Sequence, residues 1–512
     1  MHPTHIARLT PDRAACIMAG SGEILTYRQL NQSSNQIAHL FRQQGLQAGD
    51  VVAILMDNSL RYFELVWAAQ RAGLYYACIS SKLSTGEIAY ILADCGAKVL
   101  IVSPGVGAVF DNLPAVLLGV RLFMTGQTRP PYESLDEAVA ALPTTPIADE
   151  TAGTDMLYSS GTTGRPKGFK PRLSGGPTDA PTPHIGRARD LFGFKDGCIY
   201  LSPAPLYHAA PLRMCMTIHR LGGTTVVMEK FDAEAALALI ETHRIDCAQF
   251  VPTHFVQMLK LPPETRSRYD LSSLASAVHA AAPCPIPVKA QMLDWWGPVL
   301  CEYYGGTEGN GLTFVNAADW LTHKGTVGRS VVGEVKICGD DGEALPPRQE
   351  GVVYFAGGPP LAYHNAPGKA AENTNRHGWT TLGDVGWLDE EGYLYLTDRK
   401  SFMIISGGVN IYPQEIENLL ITHPKVADAA VVGAPDPVMG EKVVAVIQPV
   451  APGAKHDDLR DELIAFCRAS LSHVKTPRQV DFVEELPRHP NGKLYKRQIR
   501  DAYWAGQATR IG

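Results

Sequence analysis

Apolar runs and amphipathic stretches alternate along the first third of the chain. Thr26 and Gln29 form a capping box, and the stretch that follows carries an apolar stripe at helical spacing: Leu30, Ile37, Leu40 and Phe41. A second helical pattern covers residues 62–72, and short apolar runs stand at residues 51–56, 75–79 and 98–102. Short apolar strands between helices are typical of a parallel sheet covered on both faces, so the pattern predicts an α/β fold.

The pattern changes twice further along. Residues 323–355 show short strands around Gly and Pro, which predicts a small β-rich subdomain. Past Asp398 it restarts with a helix from Pro413, strands at 429–432 and 443–447 and an amphipathic helix at 457–471. We therefore predict a large N-terminal α/β domain, 1–397, with layered sheets and the β-rich subdomain, and a small α/β C-terminal domain, 398–512.

Two glycine-rich stretches are interpreted as irregular. Residues 170–185 are rich in Pro, Gly and Thr without hydrophobic periodicity, which predicts a mobile surface loop. The run 105–110 follows a strand, but Phe110 stands where a dinucleotide fingerprint needs its third glycine, so it is interpreted as a turn.

Composition narrows the class of protein. A length of 512 residues predicts at least two domains, and a net charge of −6 argues against nucleic acid as the main partner. No apolar run reaches the length of a membrane span, and the N-terminus lacks the apolar core of a secretory signal. The ten cysteines form no CxxC pair, which favours reduced thiols in a cytoplasmic enzyme over a disulfide frame or a zinc site.

The most informative motif is YSSGTTGRPKG at residues 158–168. Glycines let the backbone approach a ligand, loop N–H groups and hydroxyls form an anion cradle, and the cations neutralise charge. The loop is not a Walker A motif, because no Gly-Lys-Ser/Thr follows at the required spacing. It predicts a polyphosphate site.

Four further blocks follow in order: YYGGTE at 303–308, GWTTLGDVG at 378–386, TDRKSFMIISGGVNIYPQEIE at 397–417 and LPRHPNGKLYKR at 486–497. Together with the phosphate loop they resemble the adenylate-forming superfamily of acyl-CoA synthetases, peptide-synthetase adenylation domains and luciferases. The resemblance covers nearly the whole chain. It implies that ATP adenylates a carboxylic acid and that the C-terminal domain is a mobile lid.

The resemblance assigns nucleotide contacts to several blocks. Those implied for the β- and γ-phosphates are Ser159, Ser160, Gly161, Thr162, Thr163, Gly164 and Lys167. Tyr304 would stack on adenine, and Gly305 beside it would contribute to cofactor binding. Thr307 would bond the α-phosphate and Glu308 would hold a Mg²⁺ ion. Asp384 would accept the ribose hydroxyls, and Arg399 would contact ribose or phosphate. Without the resemblance, Tyr304 could be a residue packed in the core, Glu308 could be a solvent-exposed surface acid, and Arg399 could form an ion pair at the surface.

The lid carries the remaining implied roles. Lys493, after the turn signal Asn491-Gly492, would reach the α-phosphate and the carboxylate during adenylation. Asp398 matches the hinge about which the lid rotates, and Gly407 and Gly408 would then line the path of the CoA pantetheine. The plain alternative for the two glycines is a turn before a helix.

The implied acyl site is mostly apolar. The segments expected to build it are 207–216, 249–255, 278–283 and the turn after Glu308, with His208 near the entry as either a functional or a structural residue. No early aspartate for an α-amino group is evident. The continuation FKPRLSGG after the phosphate loop resembles fatty-acid and bile- or steroid-acid CoA ligases, which favours a fatty, aromatic or steroid-type acid.

The predicted protein is thus an ATP-, Mg²⁺- and CoA-dependent acyl-CoA synthetase with small-molecule partners and no membrane span; a homodimer is left open. The first alternative is a free-standing acyl-AMP ligase that loads a carrier protein. Such ligases usually carry an insertion before the lid, whereas residues 384–399 run without one. Luciferase-type oxidation and an inactive ATP-binding scaffold complete the alternatives, and the intact motifs argue against the scaffold.

Overall fold

The computed structural model describes residues 1–107, 113, 119–159, 166–361, 363–451, 457–488 and 494–505. The chain forms two compact units. The first comprises Met1–Phe250, Pro262–His279 and Ala362–Ala370, and the second Val251–Leu261, Ala280–Leu361 and Ala371–Gly512. The predicted boundary between residues 397 and 398 lies inside the second unit and stays a prediction.

The α-helices of the described residues are, in chain order, α1 Pro3–Leu9, α2 Tyr27–Gln43, α3 Leu60–Arg71, α4 Thr85–Cys95, α5 Leu135–Ala140, α6 Pro183–Asp190, α7 Ala209–Arg220, α8 Ala233–Thr242, α9 Pro252–Leu259, α10 Pro263–Arg266, α11 Ile286–Trp296, α12 Ala317–Thr322, α13 Pro367–Glu372, α14 Pro413–Leu420, α15 Asp457–Ser470 and α16 Lys496–Trp504. Helix α2 begins where the sequence predicts. The Thr26 side chain accepts from the Gln29 N–H, and the Gln29 side chain accepts from the Thr26 N–H.

The β-strands are β1 Ala14–Met18, β2 Ile24–Thr26, β3 Val51–Leu55, β4 Tyr75–Cys78, β5 Ala97–Val102, β6 Arg121–Met124, β7 Glu133–Ser134, β8 Thr154–Ser159, β9 Lys167–Phe169, β10 Ile199–Ser202, β11 Thr224–Val227, β12 Cys247–Phe250, β13 Ser276–His279, β14 Leu300–Tyr304, β15 Leu312–Val315, β16 Arg329–Val332, β17 Glu334–Cys338, β18 Gly351–Ala356, β19 Thr380–Leu388, β20 Leu394–Arg399, β21 Ile404–Ser406, β22 Val409–Ile411, β23 Val426–Asp436, β24 Gly440–Pro449 and β25 Gln479–Phe482.

The first unit contains two largely parallel sheet regions. One has the order β7-β6-β5-β3-β4-β8-β9 and is parallel except for the final β8–β9 pair. The other has the order β13-β12-β10-β11-β1-β2 and is parallel except for β1–β2. Every residue of β3 is buried, as expected for a central strand covered on both faces. The predicted α/β fold class is confirmed.

The second unit is richer in antiparallel pairing. Strands β14, β15 and β16 pair antiparallel in that order, and so do β17, β18, β19 and β20. The latter sheet and β16 account for the predicted β-rich subdomain. The C-terminal part has the order β22-β21-β24-β23, and β25 runs parallel to β24. Helices α14 and α15 cover this sheet through an apolar core that includes Ile416, Leu420 and Leu463.

The segment at 170–182 departs from the predicted mobile loop. The Tyr75 hydroxyl donates to Pro171 O at 2.7 Å, the Thr151 hydroxyl donates to Gly176 O at 3.1 Å, and Arg220 donates to Thr178 O at 3.0 Å. The segment is therefore tied to the fold through its backbone carbonyls, and α6 already begins at Pro183. Low hydrophobicity identified the absence of regular structure, but side chains distant in sequence supply the anchoring.

Within the described residues, no helix is long and apolar enough to cross a membrane.

A buried histidine makes the first unit sensitive to acid. Trp67 Nε1–H donates to His219 Nδ1 at 3.1 Å, and His219 Nε2 lies 3.1 Å from Ala15 O, so the ring is held neutral with its proton on Nε2. Burial lowers the pKa of His219 to about 3, against 6.5 for an exposed histidine. Folding then excludes a proton that the unfolded chain accepts, so stability is complete above pH 6.5 and falls as the pH drops towards 3.

We expect His219 alone to cost about 2 kcal/mol of unfolding free energy between pH 7.5 and pH 5. Urea denaturation at both pH values, for the natural protein and His219→Gln, measures this contribution. The variant should lose less stability on acidification by about that amount. An identical pH dependence in the two proteins would contradict the assignment of a neutral buried histidine.

Candidate functional site

Three predicted residues meet in the second unit. Tyr304 ends β14, and Asp384 on β19 lies directly opposite Arg399 on β20 in the antiparallel register. The Tyr304 hydroxyl donates to Asp384 Oδ2 at 2.6 Å, and Arg399 Nε donates to Asp384 Oδ1 at 2.9 Å. The two residues of the first pair are 80 positions apart in sequence and lie on strands of two different sheets, so the tertiary fold is what brings the block at 303–308 to the block at 378–386.

The electrostatics of this cluster centre on Asp384. Burial and then the Asp384 charge raise the pKa of Tyr304 well above its usual value, so the phenol stays protonated and donates. The Asp384 charge also raises the pKa of Arg399. A carboxylate offers about four lone-pair sites, so the two protein donors leave acceptor capacity on both oxygens. Asp384 can therefore hold two further hydroxyl groups while its partners fix its orientation.

The Tyr304 ring has a defined surface as well as a defined hydroxyl. It stacks on Phe355 with ring centroids 6.1 Å apart and planes inclined by 26°. The hydroxyl bond and this stacking fix the ring plane. The Tyr304 ring is therefore packed against a neighbouring side chain, as the alternative from the sequence holds. The contact of this ring with adenine stays a prediction.

The turn after Tyr304 leaves no room for side chains at its two glycines. A Cβ on Gly305 would lie 2.9 Å from Gly311 O. A Cβ on Gly306 would lie 2.5 Å from Leu382 and 2.7 Å from Glu308 Oε2. Leu382, two residues before Asp384, therefore packs against the turn that carries Thr307 and Glu308, which the sequence did not indicate. Both of these residues are half-buried, and the structure leaves their ATP and Mg²⁺ contacts as predictions.

The phosphate-loop motif spans a β8–β9 hairpin in the first unit. Ser159 pairs with Lys167 across the antiparallel strands, and the Lys167 ammonium lies 5.7 Å from the centre of the Tyr363 ring. Ser160, Gly161, Thr162, Thr163 and Gly164 lie outside the described residues, so their predicted phosphate contacts stay predictions. The structure thus defines the two ends of the motif, and the phosphate contacts of Ser159 and Lys167 also stay predictions.

The base of the hairpin is fixed by residues that the motif does not include. The Tyr158 hydroxyl donates to Asp94 Oδ2 at 2.6 Å, and burial raises the pKa of Tyr158. The His364 N–H donates to Gly168 O at 2.8 Å, while His364 Nε2 lies 2.9 Å from Asp94 O. Asp94 and His364 were missed from the sequence because each lies far from the motif and carries no motif of its own.

His208 is the N-cap residue of α7, also in the first unit. Its ring meets that of Tyr207 edge-on, with centroids 4.5 Å apart. This placement at a helix start suits both the functional and the structural interpretation. Its predicted role near the acyl group stays a prediction.

Gly407 and Gly408 form the two-residue turn of the β21–β22 hairpin. Their φ angles are 57° and 78°, and Ser406 pairs with Val409 across them. Two consecutive positive φ angles define a type I′ turn, which strongly favours glycine. The Gly407 N–H donates to Met439 O at 2.8 Å, and both glycines are exposed. The two glycines therefore do form a tight turn, as the alternative interpretation holds. Their role in CoA binding stays a prediction and is compatible with this turn.

Asp398 links β20 to α14. Its Oδ1 accepts the Arg399 N–H at 2.6 Å, and its Oδ2 accepts the Gln414 N–H at 2.9 Å in the first turn of the helix. The carboxylate is 8% exposed and caps the helix from outside its own sequence neighbourhood. Both hydrogen bonds lie within the predicted C-terminal domain, and the role of Asp398 as a hinge stays a prediction. Lys493 lies outside the described residues, so its role stays a prediction.

The fold and the order of the motifs together indicate an α/β enzyme of the adenylate-forming class. The chain belongs to the AMP-binding enzyme family: that family matches residues 4–362, and the AMP-binding enzyme C-terminal domain matches residues 415–493.

Curated relatives match along almost their whole length. Feruloyl-CoA synthase of an Amycolatopsis species is 34% identical over 501 residues, covering 97% of each chain. The fatty acid–[acyl-carrier-protein] ligase ScoC of Streptomyces coeruleorubidus is 32% identical over 504 residues, covering 96% of this chain and 94% of its own. The long-chain-fatty-acid–CoA ligase FadD13 of Mycobacterium tuberculosis is 31% identical over 521 residues, covering 98% and 97%.

A solved structure gives the same result for the fold. ATP-bound MatB from Rhodopseudomonas palustris shares 26% identity with a TM-score of 0.79, covering 99% of both chains. The predictions of family, fold class and acid–thiol ligase activity are confirmed by these matches. The individual site residues and the domain boundary are not tested by them.

Proposed function

We propose that this protein joins a hydrophobic carboxylic acid, aromatic or fatty, to CoA at the expense of ATP. The carboxylate oxygen attacks the α-phosphorus, diphosphate leaves, and the CoA sulfur then displaces AMP from the acyl carbon. The observation that carries the proposal is the Tyr304–Asp384–Arg399 cluster beside the Gly-Gly-Thr-Glu turn. Such a cluster suits a ribose with two neighbouring hydroxyls next to a flat aromatic base.

The two half-reactions need different residues. Adenylation brings two anions together, so it requires positive charge and N–H or O–H donors around the transferring phosphoryl group. Thr307 and Lys493 are proposed to contact the α-phosphate, and Lys167 is proposed to contact the β- and γ-phosphates. Thioester formation requires a path for the thiol and little more than orientation, because an acyl-AMP is already reactive. The hairpin turn at Gly407 and Gly408 is proposed for that path.

A magnesium ion would be held mainly by ATP. Within the described residues, no group of three or more histidine, cysteine, aspartate or glutamate side chains offers a metal site. Mg²⁺ commonly takes one or two carboxylates and completes its shell with phosphate oxygens and water, so the single carboxylate of Glu308 fits. The ion would neutralise phosphate charge, and Glu308 would fix its position from the Gly305–Gly306 turn.

The acid class is proposed from the relatives and from one strained residue. The matched relatives are named for feruloyl and long-chain fatty acids, and the segments expected at the acyl site are largely apolar. Ala281, in the segment 278–283, has a φ of 77°, a conformation that favours glycine. A methyl group maintained there despite its strain is consistent with a side chain that limits the width of the acyl site. Apolar walls discriminate chain length by only about 1–3 kcal/mol per methylene.

A substitution at Gly408 is expected to slow thioester formation without slowing adenylation. In Gly408→Ala, the added Cβ meets nothing within 4 Å but must adopt a φ of 78°, at a cost of about 1–2 kcal/mol. We expect the hairpin tip to shift, so that thioester formation from supplied acyl-AMP slows about tenfold or more while adenylation changes less than twofold.

The control for this variant is Gly342→Ala, which introduces the same strain at a φ of 81° with open space around it, in a turn away from the hairpin. Both variants are assayed for diphosphate release and for thioester formation. If Gly342→Ala slows thioester formation equally, or Gly408→Ala slows both steps, the proposed CoA path at the hairpin is wrong.

The proposed function is tested with a panel of acids. The protein is incubated with ATP, Mg²⁺ and short, long, aromatic and steroid acids, with and without CoA, and the products are identified by mass spectrometry. A thioester that requires CoA supports the proposal and names the acid. An acyl-AMP that CoA does not consume favours carrier-protein loading, the reaction for which ScoC is named. No product with any acid would contradict the proposal.

A cytoplasmic location and a homodimer accompany the proposal. All ten cysteines are free thiols, and most are buried, which suits a reducing compartment. Cell fractionation tests the location, and light scattering on the purified protein tests the dimer.

A further inference from the structure

The chain on either side of Lys493 is closed into a narrow stem. Arg488 and Leu494 pair as an isolated antiparallel bridge, and the Tyr495 N–H donates to Pro487 O at 2.9 Å. The five residues between the paired positions, 489–493, lie outside the described residues and end at Lys493. The stem therefore fixes the two described positions, Arg488 and Leu494, that flank Lys493 and the four residues before it.

An arginine fixes the N-terminal side of the stem. Arg488 Nε donates to Asp428 Oδ2 and Arg488 Nη2 donates to Asp428 Oδ1, both at 2.6 Å, in a bidentate pair. The two side chains are 28% and 17% exposed. Asp428 is itself held, because Oδ1 also accepts the Ala429 N–H at 2.9 Å. The residue lies on β23, which pairs with β24 along most of its length.

A lysine fixes the C-terminal side. Lys496, the first residue of α16, lies 2.8 Å from Glu417 Oε2, and both side chains are buried. Glu417 on α14 also accepts the Val431 N–H at 2.7 Å, which fixes the carboxylate from a second direction. The Lys496 ammonium lies 5.2 Å from the centre of the Phe402 ring. Each side of the stem is thus held by one ion pair: Arg488 pairs with β23 directly, and Lys496 pairs with Glu417 of α14, which itself accepts a hydrogen bond from β23.

The two sides of the stem would pack against the C-terminal sheet without these ion pairs. Leu486 and Ile499 are buried in an apolar cluster with Val432 and Val444, and this already packs both sides of the stem against the sheet. Buried ion pairs add little net stability, because desolvation offsets their attraction, but they specify one geometry. Apolar packing tolerates sliding, whereas a bidentate arginine–carboxylate pair does not.

We propose that Arg488–Asp428 and Lys496–Glu417 are positioning pairs that set the reach of Lys493 in the adenylation step. The inference rests on the proposed function, in which Lys493 contacts the α-phosphate and the carboxylate. It adds residues that act through Lys493 and do not themselves touch the substrate. Since Lys493 serves only adenylation in that account, loss of a positioning pair must slow adenylation and leave thioester formation intact.

The test uses the full-length protein and the Arg488 pair, whose partial exposure favours folded variants. In Arg488→Ala we expect the kcat for acyl-AMP formation to fall about 10-fold to 100-fold, with the KM for ATP changed less than threefold. Thioester formation from supplied acyl-AMP should stay within twofold of the natural protein. Arg488→Lys, which keeps the charge but not the bidentate geometry, should be intermediate. The exchanged pair Arg488→Asp with Asp428→Arg should recover part of the loss.

Arg460→Ala is the matched control. Arg460 also lies in the lid and pairs with a carboxylate, Asp457, at 2.7 Å, but it is remote in sequence from both sides of the stem. It should leave both half-reactions unchanged. An equal loss of both half-reactions in Arg488→Ala, or an equal loss in the control, would show that the pair is only structural and would overturn the proposal.

Lys493→Ala, assayed alongside Arg488→Ala, distinguishes a failure of the positioning proposal from a failure of the role assigned to Lys493. If Lys493→Ala abolishes adenylation alone and Arg488→Ala does nothing, the positioning proposal fails and the proposed function stands. If Lys493→Ala affects both half-reactions alike, the assigned role of Lys493 fails, and the positioning proposal fails with it.

Discussion

Replacing Lys493 by alanine is expected to lower the rate of acyl-adenylate formation by about 10³-fold, because the variant lacks the cation that is proposed to contact both anionic reactants. The same variant should convert supplied acyl-AMP and CoA to thioester at the natural rate, since Lys493 is proposed to act only while the carboxylate attacks the α-phosphorus. The measurement is diphosphate release for the first step and thioester formation for the second. The loss corresponds to about 4 kcal/mol of transition-state stabilisation.

The control for Lys493 is another lysine of the C-terminal domain whose ion pair is exposed. Lys425 pairs with Glu462 at 2.6 Å, with 61% and 40% of the side chains exposed. Exposed pairs contribute little, so Lys425→Ala should leave both rates unchanged. If Lys493→Ala slows the two half-reactions equally, the assignment of this residue to adenylation is wrong.

Replacing Asp384 by asparagine is expected to lower kcat/KM for ATP by about 10²-fold, mainly through a higher KM. The amide has one acceptor oxygen where the carboxylate has two, and it no longer compensates the Arg399 charge at 2.9 Å. Both the protein network and the two proposed ribose contacts then weaken. Initial rates at varied ATP with saturating acid measure the effect, and a melting curve shows that the variant is folded.

Tyr304→Phe separates the network from the nucleotide contact. It removes the hydroxyl that donates to Asp384 at 2.6 Å but keeps the ring that stacks on Phe355. We expect kcat/KM for ATP to fall less than tenfold, because the ring surface that is proposed to contact adenine is kept. An unchanged KM for ATP in Asp384→Asn would exclude Asp384 from the nucleotide site.

Local signals in the sequence predicted much of the fold. The capping box at Thr26 placed the start of α2 correctly, and the apolar runs at 51–56 and 98–102 match β3 and β5 to within a residue at either end. The strand predicted at 429–432 is longer, Val426–Asp436. Its C-terminal end contains Gly433 and Pro435, which strand propensity disfavours, and pairing with β24 extends the strand through them.

The site could be predicted as residues but not as an arrangement. The motifs named Tyr304, Asp384 and Arg399, yet nothing local says that Asp384 joins the other two. The packing of Leu382 against Gly306 and the bond from Tyr158 to Asp94 likewise join positions far apart in sequence. Such contacts depend on strand order and register, which a single sequence does not encode in any local pattern.

A single-turnover pulse and chase tests the central claim, that one protein performs both half-reactions through an acyl-adenylate, most directly. Excess enzyme is mixed with ATP, Mg²⁺ and the acid identified by the panel, and CoA is added after the adenylate has formed. Rapid quenching and mass spectrometry follow both species. The account predicts one acyl-AMP per active site before CoA, then its loss at the rate at which an equal amount of thioester appears. Thioester formed without prior adenylate, or adenylate that persists after CoA is added, would contradict it.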